Sequence, residues 1–345
     1  MVDSIIKEIG DRRNDLDGEI IETIYFGGGT PSVLEFIEIK DIFSAIYTNH
    51  KLSEEPEISF EANPDDLNPD YLNILRESGI NRLSIGIQSF FDRDLKLMRR
   101  IHTAQQSIQA IKDSRKAGFT NISIDLIYGL PGQEEGEWEE NLNTALESGI
   151  QHISAYHLTY EPRTVFDHWR KKGKLTPIGE DQSLRQFETL IKKTSERGFD
   201  HYEISNFALA GFISKHNSNY WNQVNYIGVG PSSHSYNGKR RRWNIANNLK
   251  YMQAVKNGDN SYYDFEDLTL QDLYNEYMLT SLRTSRGADL TEISKRFGIK
   301  YLDYIRMKAP ELIGRRVLEE NDNKLKLSDK GIFIADFIIA EFFVV

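Results

Sequence analysis

Short apolar runs recur along the first half of the chain at intervals of roughly 30 to 40 residues, each separated from the next by a longer amphipathic stretch. This alternation limits the fold more than any other feature. The runs are Thr23–Phe26, Ile58–Glu61, Leu83–Ile87, Ile122–Ile127 and His152–Tyr156. Strand and helix in strict succession read as repeated βα units around a parallel sheet. Several helical stretches stop at glycine followed by an apolar residue, at Gly79-Ile80, Gly118-Phe119, Gly149-Ile150 and Gly198-Phe199, which is carboxy-terminal cap chemistry used repeatedly. The units differ in length and carry polar groups at the strand ends, so the repeat is that of a full or partial barrel and not of a solenoid.

In parallel α/β architectures ligands bind at the carboxyl ends of the strands. Those exits hold Gly27-Gly28-Gly29-Thr30-Pro31, then Glu61-Ala62-Asn63-Pro64, then Gln88, and these groups are expected to face one another. The 345 residues suffice for one large core and a small second unit. The expected division is a barrel-type unit over 1–210, an aromatic, Asn- and Gly-rich loop region over 211–248, and a carboxy-terminal helical, winged-helix-like unit over 249–345. In the last of these, Val317–Leu327 reads as a hairpin turning at Asn321–Asn323, and packing or interaction is its expected role.

Composition narrows the function classes. No apolar run approaches the roughly 18 residues that span a bilayer, and no secretory leader opens the chain, so a cytoplasmic address is expected. A net charge of −10 argues against an extended nucleic-acid surface, which needs clustered Lys and Arg. The basic run Lys239-Arg240-Arg241-Arg242 reads either as a solvated loop or as a contact for a carboxylate-bearing ligand. The chain has no cysteine, which excludes disulfides, thiolate nucleophiles and thiolate-held metal within these residues.

Consecutive glycines after a strand let backbone approach a ligand closely and offer unblocked N–H and C=O groups, which suits an amino acid's ammonium and carboxylate. Here they sit in YFGGGTPS from Tyr25 to Ser32, with EANP at Glu61–Pro64, RLSIGIQSF at Arg82–Phe90 and IDLIYGLPGQ at Ile124–Gln133. On these segments nearly the whole chain resembles the radical S-adenosylmethionine (SAM) family that contains oxygen-independent coproporphyrinogen III oxidase and the HemW-type heme chaperones. The resemblance implies an α/β fold: a partial (β/α) TIM-like radical SAM barrel missing its first strand, plus a small carboxy-terminal domain. It also implies that Gly28, Gly29 and Thr30 line the methionine moiety of SAM, that Glu61 lies beside SAM or substrate, and that Gln88 and Asp125 hold the ribose. Arg100 would pair with the carboxylate and Thr159 would border adenine.

Downstream, Lys215-His216-Asn217-Ser218-Asn219-Tyr220-Trp221 contains HNxxYW. A lone histidine is more often a structural hydrogen-bonder than a ligand, but by resemblance this string marks the heme-chaperone branch. His216 is then the expected heme ligand, with Tyr220, Trp221 and Tyr226 as aromatic surface for the macrocycle. His234, in a Gly-rich stretch that lacks the setting of a dinucleotide fold, is a weaker second candidate.

The family holds a [4Fe-4S] cluster through CxxxCxxC upstream of the GGGTP strand, and this chain departs from that pattern. A lost amino-terminal segment carrying the first strand and the cysteines is the expected account, and a naturally cluster-free descendant is the alternative. The functional expectation is a heme chaperone-like protein that binds SAM and heme and passes heme to an acceptor protein. Coproporphyrinogen III oxidase and a non-catalytic scaffold are the rival readings.

Overall fold

A computed structural model describes residues 1–134 and 136–344; Val345, the last residue of the expected carboxy-terminal unit, lies outside them. The chain forms two compact units, one of residues 1–24, 35–56 and 214–345, the other of residues 25–34 and 57–213.

The strands are β1 Ile21–Phe26, β2 Leu52–Ala62, β3 Arg82–Gln88, β4 Ile122–Tyr128, β5 His152–His157, β6 Phe199–Glu203 and β7 Asn206–Leu209, in the sheet order β1-β2-β3-β4-β5-β7-β6. The sheet curls as a half barrel, and its first five strands contain the five apolar runs. The β2–β3, β3–β4 and β4–β5 pairs are parallel, whereas β6 and β7 form an antiparallel hairpin beside β5.

Helices α1 Val2–Asp11, α2 Phe36–Asn49, α3 Pro69–Glu77, α4 Asp92–Leu97, α5 Ala104–Lys116, α6 Glu137–Glu147, α7 Val165–Lys171 and α8 Glu180–Glu196 intervene. Glycine ends several of them for a geometric reason. Gly79 and Gly118 take φ of 91° and 90°, and the amide after each returns to the last turn, Ile80 N–H to Leu75 O and Phe119 N–H to Ser114 O, both at 3.1 Å. Only glycine adopts that left-handed φ without strain. Between the helices and the sheet lie fully buried Leu72, Leu75, Leu83, Ile85, Ile111, Ile124 and Leu142.

The carboxy-terminal half continues with α9 Lys215–Trp221, β8 His234–Tyr236, β9 Arg240–Asn244, α10 Asn248–Asn257, β10 Tyr263–Asp267, α11 Leu270–Leu282, β11 Ala288–Asp289, α12 Leu290–Phe297, α13 Ile299–Gly314, β12 Leu318–Asn321, β13 Lys324–Leu327, α14 Asp329–Ile332 and α15 Ala335–Ala340. The stretch expected as loop, 211–248, thus holds a helix and two strands of a three-stranded sheet. The basic run is neither a solvated loop nor an open carboxylate site. Arg240 pairs with Asp267 and Arg241 with Glu266 and Glu276, while the Arg242 guanidinium lies 3.6 Å from the centroid of the Tyr263 ring. The order α11-β11-α12-α13-β12-β13 is that of a winged helix. Its hairpin turns at Asp322 and Asn323, both left-handed with φ of 50° and 61°, as a two-residue turn of the type that matches strand twist requires.

In the first unit the buried carboxylate of Glu8 on α1 organises the packing. It accepts from Gly230 N–H at 2.9 Å, Tyr251 Oη at 2.7 Å, Asn244 Nδ2 at 2.8 Å and Arg12 Nη1 at 3.3 Å. Arg12, 4% exposed, also donates to Gly228 O and Ser235 Oγ. Removing one member of such a network strands the other charge without water. Glu8→Ala is therefore expected to cost about 3–5 kcal/mol, read as a lowered urea midpoint. Adding Arg12→Met should cost less than the sum of the single changes, and strict additivity in that cycle would contradict a coupled network.

Candidate functional site

The carboxyl ends of β1 to β4 form an open cleft in the second unit. Period-two alternation on β3 puts Ser84, Gly86 and Gln88 on one face, and all three line it. Gly29, Thr30, Glu61, Arg100 and Asp125 line it too, so six of the expected residues meet in one place. Gly28 lies beside them through its N–H, which donates to Glu61 Oε2 at 3.2 Å. Thr159, two residues beyond β5, is not among the lining residues.

Each glycine of the turn answers a different demand. A Cβ on Gly27 would lie 2.4 Å from the Tyr25 ring and 2.8 Å from the Glu61 carboxylate, so the backbone there must be bare. Gly28 takes φ of 76°, which glycine alone adopts freely. Tyr25 Oη donates to Glu61 Oε1 at 2.6 Å, and with the Gly28 bond this makes Glu61 the anchor of the glycine turn. Burial and the neighbouring Glu61 charge push the Tyr25 hydroxyl far above the ordinary tyrosine range.

Arg100 is the one cation among the lining residues, facing Glu61 and Asp125. Its Nη2 donates to Asn63 Oδ1 at 2.7 Å and to the Gly86 carbonyl at 3.0 Å. Asp125 is pushed up to about 7 by loss of water and then by the Glu61 charge, although Ser154 and Ser84 donate to it and Arg100 pulls the other way. The residues fit a sulfonium amino-acid nucleotide: acceptors for a cation and a diol, one guanidinium for a carboxylate, and bare backbone that lets a ligand approach. They do not fit a thiolate-held cluster, since the chain has no cysteine. Among the described residues no group of three or more His, Asp or Glu is placed to hold a metal.

Tyr25, Asn63, Ser84 and Gly86 were not singled out as site residues in the sequence. Ser84 and Gly86 follow from the alternation that contains Gln88, whereas the Tyr25–Glu61 and Arg100–Asn63 ties join residues 36 and 37 positions apart and leave no local signal.

His216 belongs to the first unit. Ser214 caps α9 by accepting from Asn217 N–H at 3.2 Å, which places His216 in the first turn. Its Nδ1 lies 3.2 Å from Thr23 Oγ1 and its Nε2 3.1 Å from Tyr220 Oη. The ring meets Tyr220 edge-on with centroids 5.0 Å apart, and Tyr220 meets Tyr226 in the same way at 4.8 Å. Burial pulls the imidazole down to about 4, so it is neutral at pH 7, the form that ligates iron. The buried Trp221 Nε1 has no hydrogen-bond partner, and such an orphaned donor suits a ligand acceptor. His234 is exposed on β8, opposite Trp243.

The Asp125 shift has a definite sign. Its folded-state value exceeds the ordinary one, so between 3.8 and about 7 the native chain holds a proton that the unfolded chain releases, and stability falls as pH rises across that window. Asp125→Asn removes this slope. Its urea midpoint relative to wild type is expected to climb from pH 5 to pH 8, and a difference independent of pH would contradict the raised value.

Comparison with known proteins places the chain in a family. Residues 2–145 match the model of the radical SAM superfamily and residues 268–334 that of the HemN C-terminal domain. The heme chaperone HemW of Bacillus subtilis is 33% identical over 93% of this chain and 85% of its own length. That of Lactococcus lactis is 31% identical over 99% and 89%. Among solved structures, coproporphyrinogen III oxidase (HemN) from Escherichia coli, described as a radical SAM enzyme, superposes with a TM-score of 0.83 over 99% of this chain and 82% of its own, at 23% identity; this is a likeness of fold. The chain belongs to the HemW heme-chaperone family of the radical SAM superfamily.

Proposed function

We propose that this protein carries heme on His216, binds SAM in the cleft at the strand ends, and passes the heme to an acceptor protein. The observation that carries the heme reading is a neutral, oriented imidazole inside an aromatic cluster, within the string His216-Asn217-Ser218-Asn219-Tyr220-Trp221. With Nδ1–H donating to Thr23 Oγ1, Nε2 is left as the acceptor that a heme iron takes once the Tyr220 hydroxyl yields it. Heme is the cargo here. The acceptor is a protein, and no described helix is long and apolar enough to cross a membrane.

SAM is an activated sulfonium, and in this superfamily its chemistry depends on a thiolate-held cluster. This chain has no cysteine, so its own residues are assigned to binding alone. Arg100 meets the carboxylate of the methionine moiety, Gly29 and Thr30 its amino end, and Gln88 and Asp125 the ribose hydroxyls. Gly28 and Glu61 hold the turn that presents Gly29.

Hemin titration tests the cargo reading. Wild type is expected to give a saturable Soret band shifted from that of free hemin, and His216→Ala to lose the shift. The same spectrum in both proteins would overturn the assignment. For the cleft, Arg100→Ala is expected to weaken SAM binding by roughly 10- to 100-fold, the loss of one charge-assisted pair. Calorimetry checks it, and unaltered affinity would remove Arg100 from the site.

A further inference from the structure

Gln88 reaches the cleft from an unusual backbone. Its φ is +67°, and the Ser89 N–H donates across it to the Ile87 carbonyl at 2.8 Å. A bond from residue i+2 back to i around a positive φ is a γ-turn of the rare, strained kind. β3 also loses register with β4 between Ile85 and Gln88. A non-glycine residue stays in such a conformation only when its surroundings over-determine it.

The surroundings supply His102. Just beyond α4, Arg99 takes a φ of 56°, and the Arg100 N–H returns to Leu95 O at 2.9 Å and the Arg99 N–H to Lys96 O at 3.1 Å, a left-handed cap that redirects the chain. The connector that follows sends Arg100 into the cleft, leaves Ile101 88% exposed and buries His102 to 3% exposure. The His102 Nε2 lies 3.2 Å from the same Ile87 carbonyl. A carbonyl oxygen only accepts, so Nε2 carries the proton. His102 Nδ1 has no hydrogen-bond partner and lies 3.7 Å from Asp65 Oδ1. A buried imidazole with one orphaned nitrogen is costly, and an apolar side chain would fill the same space without that cost.

We propose that His102 is a positioning residue whose Nε2–H clamps the Ile87 carbonyl and so holds the strained turn that presents the Gln88 side chain to the cleft. This rests on the SAM reading for its consequence, but the clamp is a property of the chain itself. The role is indirect: His102 acts on the ligand only through Gln88.

Amide hydrogen exchange and SAM calorimetry on the full chain separate the possibilities. In His102→Phe, which keeps a ring and loses the donor, Ser89 amide exchange should accelerate roughly tenfold relative to the Ile85 amide, the equivalent of one hydrogen bond. His102→Gln, which restores an N–H donor, should recover most of the protection. SAM affinity should fall in His102→Phe by a similar factor, yet His102→Phe should have no added effect on a Gln88→Ala background. Equal losses in both backgrounds, or Ser89 protection that follows Ile85, would overturn the proposal. If wild type binds no SAM, the cleft reading fails while Ser89 exchange still decides the clamp. If His102→Phe does not fold, the imidazole nitrogen shifts of wild type decide it: the clamp requires a slowly exchanging Nε2–H tautomer, and an Nδ1–H tautomer would overturn it.

Discussion

One guanidinium nitrogen ties the mouth of the sheet together. Arg100 Nη2 donates at once to Asn63 at the exit of β2 and to the Gly86 carbonyl on β3, so the connector after α4 is fastened to two strands. The same cation is what the cleft has to set against Glu61 and Asp125. In a half-enclosed site charges are screened less than in water, and Asp125 is raised first by its loss of water and then by the Glu61 charge. On the proposed reading, the sulfonium and ammonium of the ligand meet these acids and its carboxylate finds the guanidinium already held in place.

Much of this was legible in the sequence because the forces involved are local. A glycine after an amphipathic run specifies a left-handed helix end, and Gly79, Gly118, Gly149 and Gly198 all adopt positive φ. The five apolar runs fall within β1 to β5 because each supplies the apolar side chains that its strand buries in the core, such as Ile24, Phe60, Ile85, Ile124 and Ile153. Gln88 was expected in the cleft from its place at the exit of the third apolar run, and it lines the cleft together with Ser84 and Gly86.

What escaped the sequence depends on distant partners. Glu8, next to Lys7 on α1, is fully buried with donors at Gly230, Asn244 and Tyr251 that lie more than 220 residues along the chain. Arg240 and Arg241 read as a basic run without partners because Asp267, Glu266 and Glu276, which pair with them, come from the following strand and helix. The turn at Gln88 was invisible for a related reason. Glutamine carries no preference for positive φ, and the bonds that enforce it come from Ser89 and from His102, which is remote in sequence.

Holding heme and generating a radical place separate demands on a chain. The second requires thiolates around iron and sulfur, and none of these residues supplies one. The first requires an imidazole that is neutral, oriented and free to exchange a weak partner for a metal. His216 meets each condition through a distinct physical cause. Burial takes its charge away, and Thr23 and Tyr220, both uncharged at neutral pH, orient the ring without restoring the charge as a carboxylate would. Giving up the Tyr220 bond costs about 1 kcal/mol, the net worth of a neutral hydrogen bond. On the proposed reading, that is small enough for the ring to alternate between a resting and a ligated state, as release of a cargo requires. The donor set of this chain therefore suits the proposed reversible carriage of heme, which draws on no thiolate.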